Sequence, residues 1–211
     1  MVYKVEDILG DVRIAIDENK TNEQLITDAD IDTLMLNDII RSKIVEAVRR
    51  TIINAPVHLL DGGDTFGDAV YWRDQYSGWV MLPDDFLRLV LFKMSDWERP
   101  VYEPITPGDP LYKLQSSRYK GLRGNPQKPV VAICTRAEGR VLELYSCKDD
   151  TATVEQALYM PLPKIDDSGG IMIPERCYEA TVYQIAALAA ASTQQTDFAS
   201  VLTELSKGLL V

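Results

Sequence analysis

Ile40, Ile44, Val48 and Ile52 recur at every fourth position, and that spacing narrows what the chain can build. In a strand the same face would also carry Ser42, Glu46 and Arg50, so only a helix collects these residues into one apolar ridge. The helix is predicted to begin near 28–32 and to run to about Asn54, roughly 30 Å at 1.5 Å per residue. Asp28, Asp30 and Asp32 suit the positive end of its dipole, and Pro56 stops it. Arg41, Lys43, Arg49 and Arg50 fall on other faces or near its end. Such a ridge needs an apolar partner, and both ends of the chain offer one. Val5, Ile8, Leu9, Val12 and Ile16 predict a first helix, broken at Asn19-Lys20-Thr21-Asn22. Near the other end, Ile173-Pro174-Glu175-Arg176 opens a helix with proline at a first helical position, running to about Ser192 and rich in alanine over 186–191. Thr196-Asp197 is read as the cap of a last helix, with Phe198, Val201, Leu202 and Leu205 on one face.

Between these helices the periodicity changes to that of strands. Asp61-Gly62-Gly63-Asp64 reads as a turn. Ala69-Val70-Tyr71-Trp72 and Gly78-Trp79-Val80-Met81-Leu82 then bracket a hairpin loop. Leu87 to Met94 forms another strand. The stretch 110–119 is read as one short helix capped by Asp109, with Leu111, Leu114 and Tyr119 apolar. A second hairpin turns at Glu138-Gly139, between 128–134 and 140–145, and 154–162 is the final strand expected. Helices, then antiparallel strands, then helices make an α+β fold and argue against a doubly wound parallel sheet. The expected organisation is one domain: a helical part over 1–56, a β-rich insertion over 57–165, and C-terminal helices over 166–211 packing on the N-terminal ones. At 211 residues, about 70% of the unfolded surface is buried, enough for a core without disulfides or metal.

The chain has 22 Lys+Arg against 32 Asp+Glu, a formal charge of -10. That balance argues against a general nucleic-acid binder and against attraction to anionic lipid. Cys134, Cys147 and Cys177 are widely spaced and read as reduced, buried thiols. The first seven residues carry no apolar run, so no secretory signal is expected. The apolar run from Ile185 to Ala191 is far short of a membrane span. A soluble protein made in a reducing cytoplasm is expected.

Little in the sequence points to catalysis. No GxSxG, GxxxxGK[ST] or GxGxxG motif occurs, and the one histidine, His58, has no ligand-type neighbour. Asp28-Ala29-Asp30-Ile31-Asp32 resembles the start of a calcium loop but has Thr33 and Ile39 where glycine and glutamate belong. Acid pairs such as Asp84-Asp85 and Asp149-Asp150 leave two readings. They form a solvated face, or they serve a carboxylate-dependent hydrolase of cell-wall glycans, which holds its acids ~5 to 9 Å apart. No catalytic, cofactor-binding or metal-ligating residue is assigned, and no cofactor is expected. Tyr71, Trp72, Tyr76 and Trp79, followed by Trp97 and Tyr102, fit either a sandwich core or a protein-contact surface.

The segment Tyr76-Ser77-Gly78-Trp79-Val80-Met81-Leu82-Pro83-Asp84-Asp85-Phe86-Leu87-Arg88-Leu89, with Trp97-Glu98-Arg99-Pro100-Val101 beyond it, is similar to a pattern in tailed-phage head-to-tail adaptor, or ring, proteins. These include tail accessory factors of short-tailed phages and ring proteins of crAss-like phages. A Tyr-rich loop (here 112–124) and a Lys128-Pro129-Val130 strand follow in the same order, between helical flanks. Physically, Pro83 ends a strand, Asp84 or Asp85 caps the turn, and Phe86, Leu87 and Leu89 re-enter the core. The resemblance implies a structural virion protein with no enzymatic activity, located in the tail or neck. It implies self-association into a ring, a dodecamer, with the portal protein above and a second tail ring or nozzle protein below. DNA would pass through without specific binding, and no membrane is involved. The ridge of the long helix and the alanine-rich helix are the faces expected to meet neighbouring subunits. The acidic charge either lines the bore or only keeps the subunit soluble.

Overall fold

In the computed structural model, which describes residues 1–18, 31–117, 119 and 121–211, the chain starts with β1 (Val2–Lys4), α1 (Val5–Glu18) and α2 (Ile31–Asn54). Strands follow as β2 (Asp64–Thr65), β3 (Val70–Trp72), β4 (Gly78–Met81) and β5 (Phe86–Met94). After α3 (Pro110–Leu114) come β6 (Val131–Arg136), β7 (Gly139–Leu144) and β8 (Val154–Pro161). The chain closes with β9 (Gly170–Met172), α4 (Tyr178–Ser192) and α5 (Thr196–Gly208). This is an α+β fold, with helices towards both ends and antiparallel strands in the middle. It divides into two compact units, residues 1–62 with 162–211, and residues 63–161.

The first unit is built around α4, which packs against α1, α2 and α5. A helix enclosed by three others has almost no solvent face, and close approach on every side requires small residues. That is the role of its alanines: Ala180, Ala186, Ala187, Ala189 and Ala190 are all buried. The ridge of α2 (Ile40, Ile44, Val48, Ile52) and the stripe of α1 (Ile8, Leu9, Val12, Ile16) are buried in the same unit. Each such aliphatic side chain contributes about 1.5–3 kcal/mol on burial. The ridge and the alanine-rich helix are therefore used inside the subunit, which corrects the expectation that they face neighbouring copies.

Two short strands join the ends of this unit. β1 pairs antiparallel with β9, with Tyr3 opposite Ile171, and the amine of Met1 donates to the Ile173 carbonyl at 2.9 Å. Tyr3 stacks on Tyr178 with centroids 4.1 Å apart, and the Tyr178 hydroxyl donates to Asp11 at 2.5 Å. Three-residue strands with one half-buried position carry no readable alternation, so 154–162 is not the last strand as expected. Pro174 precedes a single 3-10 turn (Glu175–Cys177) that leads into α4. The cap expected at Thr196-Asp197 is absent: α5 starts after Gln195, which makes no side-chain capping bond. Of its expected apolar face, Leu202 is buried while Val201 is 54% exposed.

The second unit is a pair of antiparallel sheets, ordered β3-β4-β7-β6 and β2-β8-β5. Its main core takes Val80, Leu142 and Leu144 from the first sheet and Phe86, Leu89, Phe92 and Tyr159 from the second. Phe66 sits among three aromatic rings, with centroids of Phe86, Phe92 and Tyr159 at 6.0, 5.9 and 5.7 Å. Both predicted hairpins form, β3 with β4 and β6 with β7. Asp109 caps α3 as expected, accepting from the Leu111 amide at 2.8 Å, although that helix ends at Leu114 rather than near Tyr119. The β6 edge is covered by Ile105, whose amide donates to Val131 at 2.9 Å and whose carbonyl accepts from Ile133 at 3.0 Å.

Candidate functional site

The second face of the β3-β4-β7-β6 sheet carries the densest chemistry in the described residues. Strand register places Tyr71 opposite Trp79, Trp79 opposite Glu143, and Glu143 opposite Ala132. Tyr71 stacks on Trp79 with centroids 5.9 Å apart and planes 16° from parallel. The Arg136 guanidinium lies over the same Trp79 ring, 4.0 Å from its centroid. Its Nε then donates to Glu143 at 3.0 Å, and a second guanidinium nitrogen contacts the same oxygen. Arg73 donates to that oxygen at 3.0 Å. The other carboxylate oxygen accepts from the Tyr112 hydroxyl at 3.1 Å and from the Tyr145 hydroxyl. Glu143 is 3% exposed.

A buried carboxylate is costly unless its lone pairs are filled, and here both oxygens are. Burial pushes the Glu143 pKa up, but the hydrogen bonds from Tyr145 and Arg136 and the charges of Arg73 and Arg136 outweigh it, so the group titrates below the usual carboxylate range. Its neighbours respond in kind. Tyr112 is pushed up to about 12 by its bond with Cys134 and by burial. Burial and the bond to Glu143 also raise Tyr145. The Cys134 thiol is raised, mainly by burial. Near neutral pH the carboxylate stays ionised and the thiol and phenols stay protonated. The cluster is thus a fixed hub that orients two guanidiniums and an aromatic stack. It is not tuned for proton transfer or nucleophilic attack.

The sequence reading missed Glu143. The available signal was a single acid inside the apolar run Val141-Leu142-Glu143-Leu144, which a two-sided buried strand tolerates only with partners. The aromatic cluster divides. Trp72 packs against the main core and Trp97 is buried within it, whereas Tyr71 and Tyr102 are each 49% exposed.

The 82–89 segment forms a held corner between β4 and β5. The Phe86 amide closes the turn onto the Pro83 carbonyl at 3.1 Å, and the Leu82 amide donates to Arg140 at 3.0 Å. The Arg140 guanidinium returns to the Phe86 carbonyl at 3.1 Å and lies 5.5 Å from the Phe86 ring centroid. Phe86 and Leu89 enter the core as expected, while Leu87 is only half-buried. Asp85 accepts the Tyr159 hydroxyl at 2.8 Å. The other acid pairs serve turns: Asp149 accepts the Thr151 amide at 3.0 Å, and Asp166 accepts the Ser168 and Gly170 amides at 2.8 Å. His58 is exposed in a 3-10 turn. Among the described residues no group of three or more His, Cys, Asp or Glu side chains could hold a metal, and residues 28–30 of the aspartate run lie outside them.

The first unit has an apolar groove of about 660 Å³ along α4 and α5, floored by Tyr183, Val201, Leu205 and Leu209 and rimmed by Glu179 and Glu204. Its floor includes Val201 and Leu205, the residues expected in the α5 core face. Among the described residues no helix is long and apolar enough to cross a membrane. The chain matches no protein-family model and no curated protein.

Proposed function

We propose that this chain is a structural virion protein, the subunit of a ring in the head-to-tail connector of a tailed phage. The ring, a dodecamer, docks below the portal protein and above a second tail ring or nozzle protein, and it forms part of the DNA conduit. The observation that carries this reading is the 82–89 corner. Residues 82–89, the central part of the resembling segment, form one turn, held by Arg140 on one side and by Tyr159 on the other.

Two surfaces fit the role. The acidic, apolar groove on α4 and α5 suits the C-terminal end of α2 in a second copy, where Arg49 and Arg50, which share Glu46, are exposed near Ile53, itself 47% exposed. The two faces differ, so the contact is head-to-tail, the type that closes a ring. The exposed Tyr71 edge of the Trp79 stack suits the axial neighbour, because rigid aromatics anchor interfaces. Each subunit adds -10 to the ring, and a conduit with that charge has little hold on DNA phosphates.

The test is assembly. Mass photometry of the purified chain at micromolar concentration is expected to find monomers, and addition of purified portal protein to yield a ring on the portal. A stable ring without portal contradicts templated assembly, and no co-assembly with portal overturns the reading.

A further inference from the structure

Beside the Glu143 hub, the second unit has a small polar cavity of about 260 Å³, lined among others by Arg73, Arg123, Asp74, Tyr112 and Tyr145. That volume is below the usual range of drug-sized ligand pockets, about 300–1,000 Å³, so it suits one small group or a single side chain. Its charges are unequal. Arg73 and Arg123 bring two guanidiniums against the one carboxylate of Asp74, which already accepts the Tyr76 and Ser77 amides at 2.8 Å and the Ser77 hydroxyl at 2.7 Å.

The guanidiniums are also presented in a useful way. Arg123 lies over the Tyr76 ring, with its Cζ 4.6 Å from the centroid. The attraction to the ring acts on the guanidinium's charge and uses no N–H group on an acceptor, so these groups remain available for a two-pronged bond to a carboxylate. Arg73 is steadied by one nitrogen on Glu143, at 3.0 Å, which leaves its other N–H groups. The wall behind is rigid. Gln115 is buried, takes the Gly124 amide at 2.8 Å and donates to the Leu111 carbonyl at 2.9 Å. Arg73 and Arg136 share Glu143, so with Arg123 and Asp74 three guanidiniums stand against two carboxylates in and beside the cavity among the described residues, in a chain that is otherwise strongly acidic.

We infer that this cavity is a binding site for a carboxylate group, gripped between Arg73 and Arg123. A surplus of one charge matches a monoanionic carboxylate better than a phosphate dianion, and the planar forks match its geometry. The carboxylate comes from a free small acid or from an acidic side chain of a binding partner. This site is independent of the ring reading.

Isothermal titration calorimetry at fixed ionic strength tests it, with acetate, an acetylated and amidated peptide carrying a single Asp, and inorganic phosphate as probes. Saturable binding of acetate or of the peptide is expected, and which one binds tighter identifies the source. Arg123→Gln is expected to weaken binding about tenfold or more, and Arg123→Lys by less, because it retains the charge but not the fork. Lys164→Gln, which removes an exposed cation from the other unit, is expected to leave binding unchanged; unchanged thermal midpoints would show that the variants are folded. The proposal fails if neither carboxylate binds saturably, if phosphate binds as tightly as they do, or if Lys164→Gln costs as much as Arg123→Gln.

Discussion

Arg136 bridges Trp79 and Glu143: its guanidinium lies 4.0 Å over the indole centroid while its Nε donates to the carboxylate at 3.0 Å. One cation thereby ties a half-exposed aromatic stack to a fully buried acid. The stack is held from below, which lets Tyr71 stand at the surface without depending on solvent-side contacts.

Removing the buried acid should be costly. Glu143→Gln leaves Arg73 and Arg136 without their carboxylate, but their side chains are 44% and 25% exposed, so water takes part of its place and the cost falls below the roughly 3–5 kcal/mol of a fully buried pair. Urea unfolding is expected to show a loss of about 1–3 kcal/mol, the amount for charged hydrogen bonds lost from one side while the amide keeps one acceptor. A loss within experimental error would mean that the Glu143 carboxylate adds nothing to stability.

Acid should erase the same contribution. The Glu143 pKa is held below its ordinary 4.5 in the folded protein. The unfolded chain therefore takes up the proton first, and the stabilisation is complete above about 4.5 and lost as pH falls through the folded value. Asp166 is also lowered, by bonds from Ser168 and Gly170 that the substitution leaves in place. The stability gap between parent and Glu143→Gln is expected to be widest near neutrality and to close below pH about 4.5. A gap that is constant down to acid unfolding would contradict this.

Tyr71 should matter for binding and little for folding. It is 49% exposed and touches the fold through Trp79. Tyr71→Ala is expected to cost less than about 1 kcal/mol of stability, and about 2 kcal/mol or more of affinity for the axial neighbour in the ring. Parallel unfolding and portal-binding titrations separate the two. If stability falls as much as binding, Tyr71 is a core residue.

Gly63 should not tolerate a side chain. Its φ is +125°, and a Cβ there would lie 2.6 Å from the Tyr159 carbonyl oxygen. Gly63→Ala is expected to destabilise by about 1–3 kcal/mol through backbone strain alone. Gly62→Ala, with open space around the added carbon, should cost less despite its φ of +84°. Thermal unfolding of the two variants gives the order directly.

The thiols should be slow to react. Cys134, Cys147 and Cys177 are all buried, and burial with the charge of Asp96 pushes Cys147 up to about 12. At pH about 8 the folded protein is expected to resist a thiol reagent, with all three groups reacting in denaturant. Rapid stoichiometric labelling of the folded chain would show that one of them is accessible.

Elements whose information is local were legible in the residues. The α2 ridge announces itself because its spacing matches one turn of helix, and Pro56 marks its end by chain geometry alone. The hairpins at 73–77 and 137–138 follow from alternation on both sides of a turn, and the corner at Pro83 from the fixed φ of proline. No such signal exists for β1 and β9, whose three residues each acquire their meaning from partners about 170 positions away. The face each helix buries was likewise not written locally: α5 offers Val201, Leu202 and Leu205 alike, and only the position of α4 selects Leu202 for the interior. Glu143 illustrates the division most clearly. As a residue in a strand it looks like a solvated acid. It is tolerated in the interior because Tyr145 and Arg136, from its own hairpin, are joined at one carboxylate by Arg73 and Tyr112 from 70 and 31 positions away, and tertiary structure alone sets those last two distances.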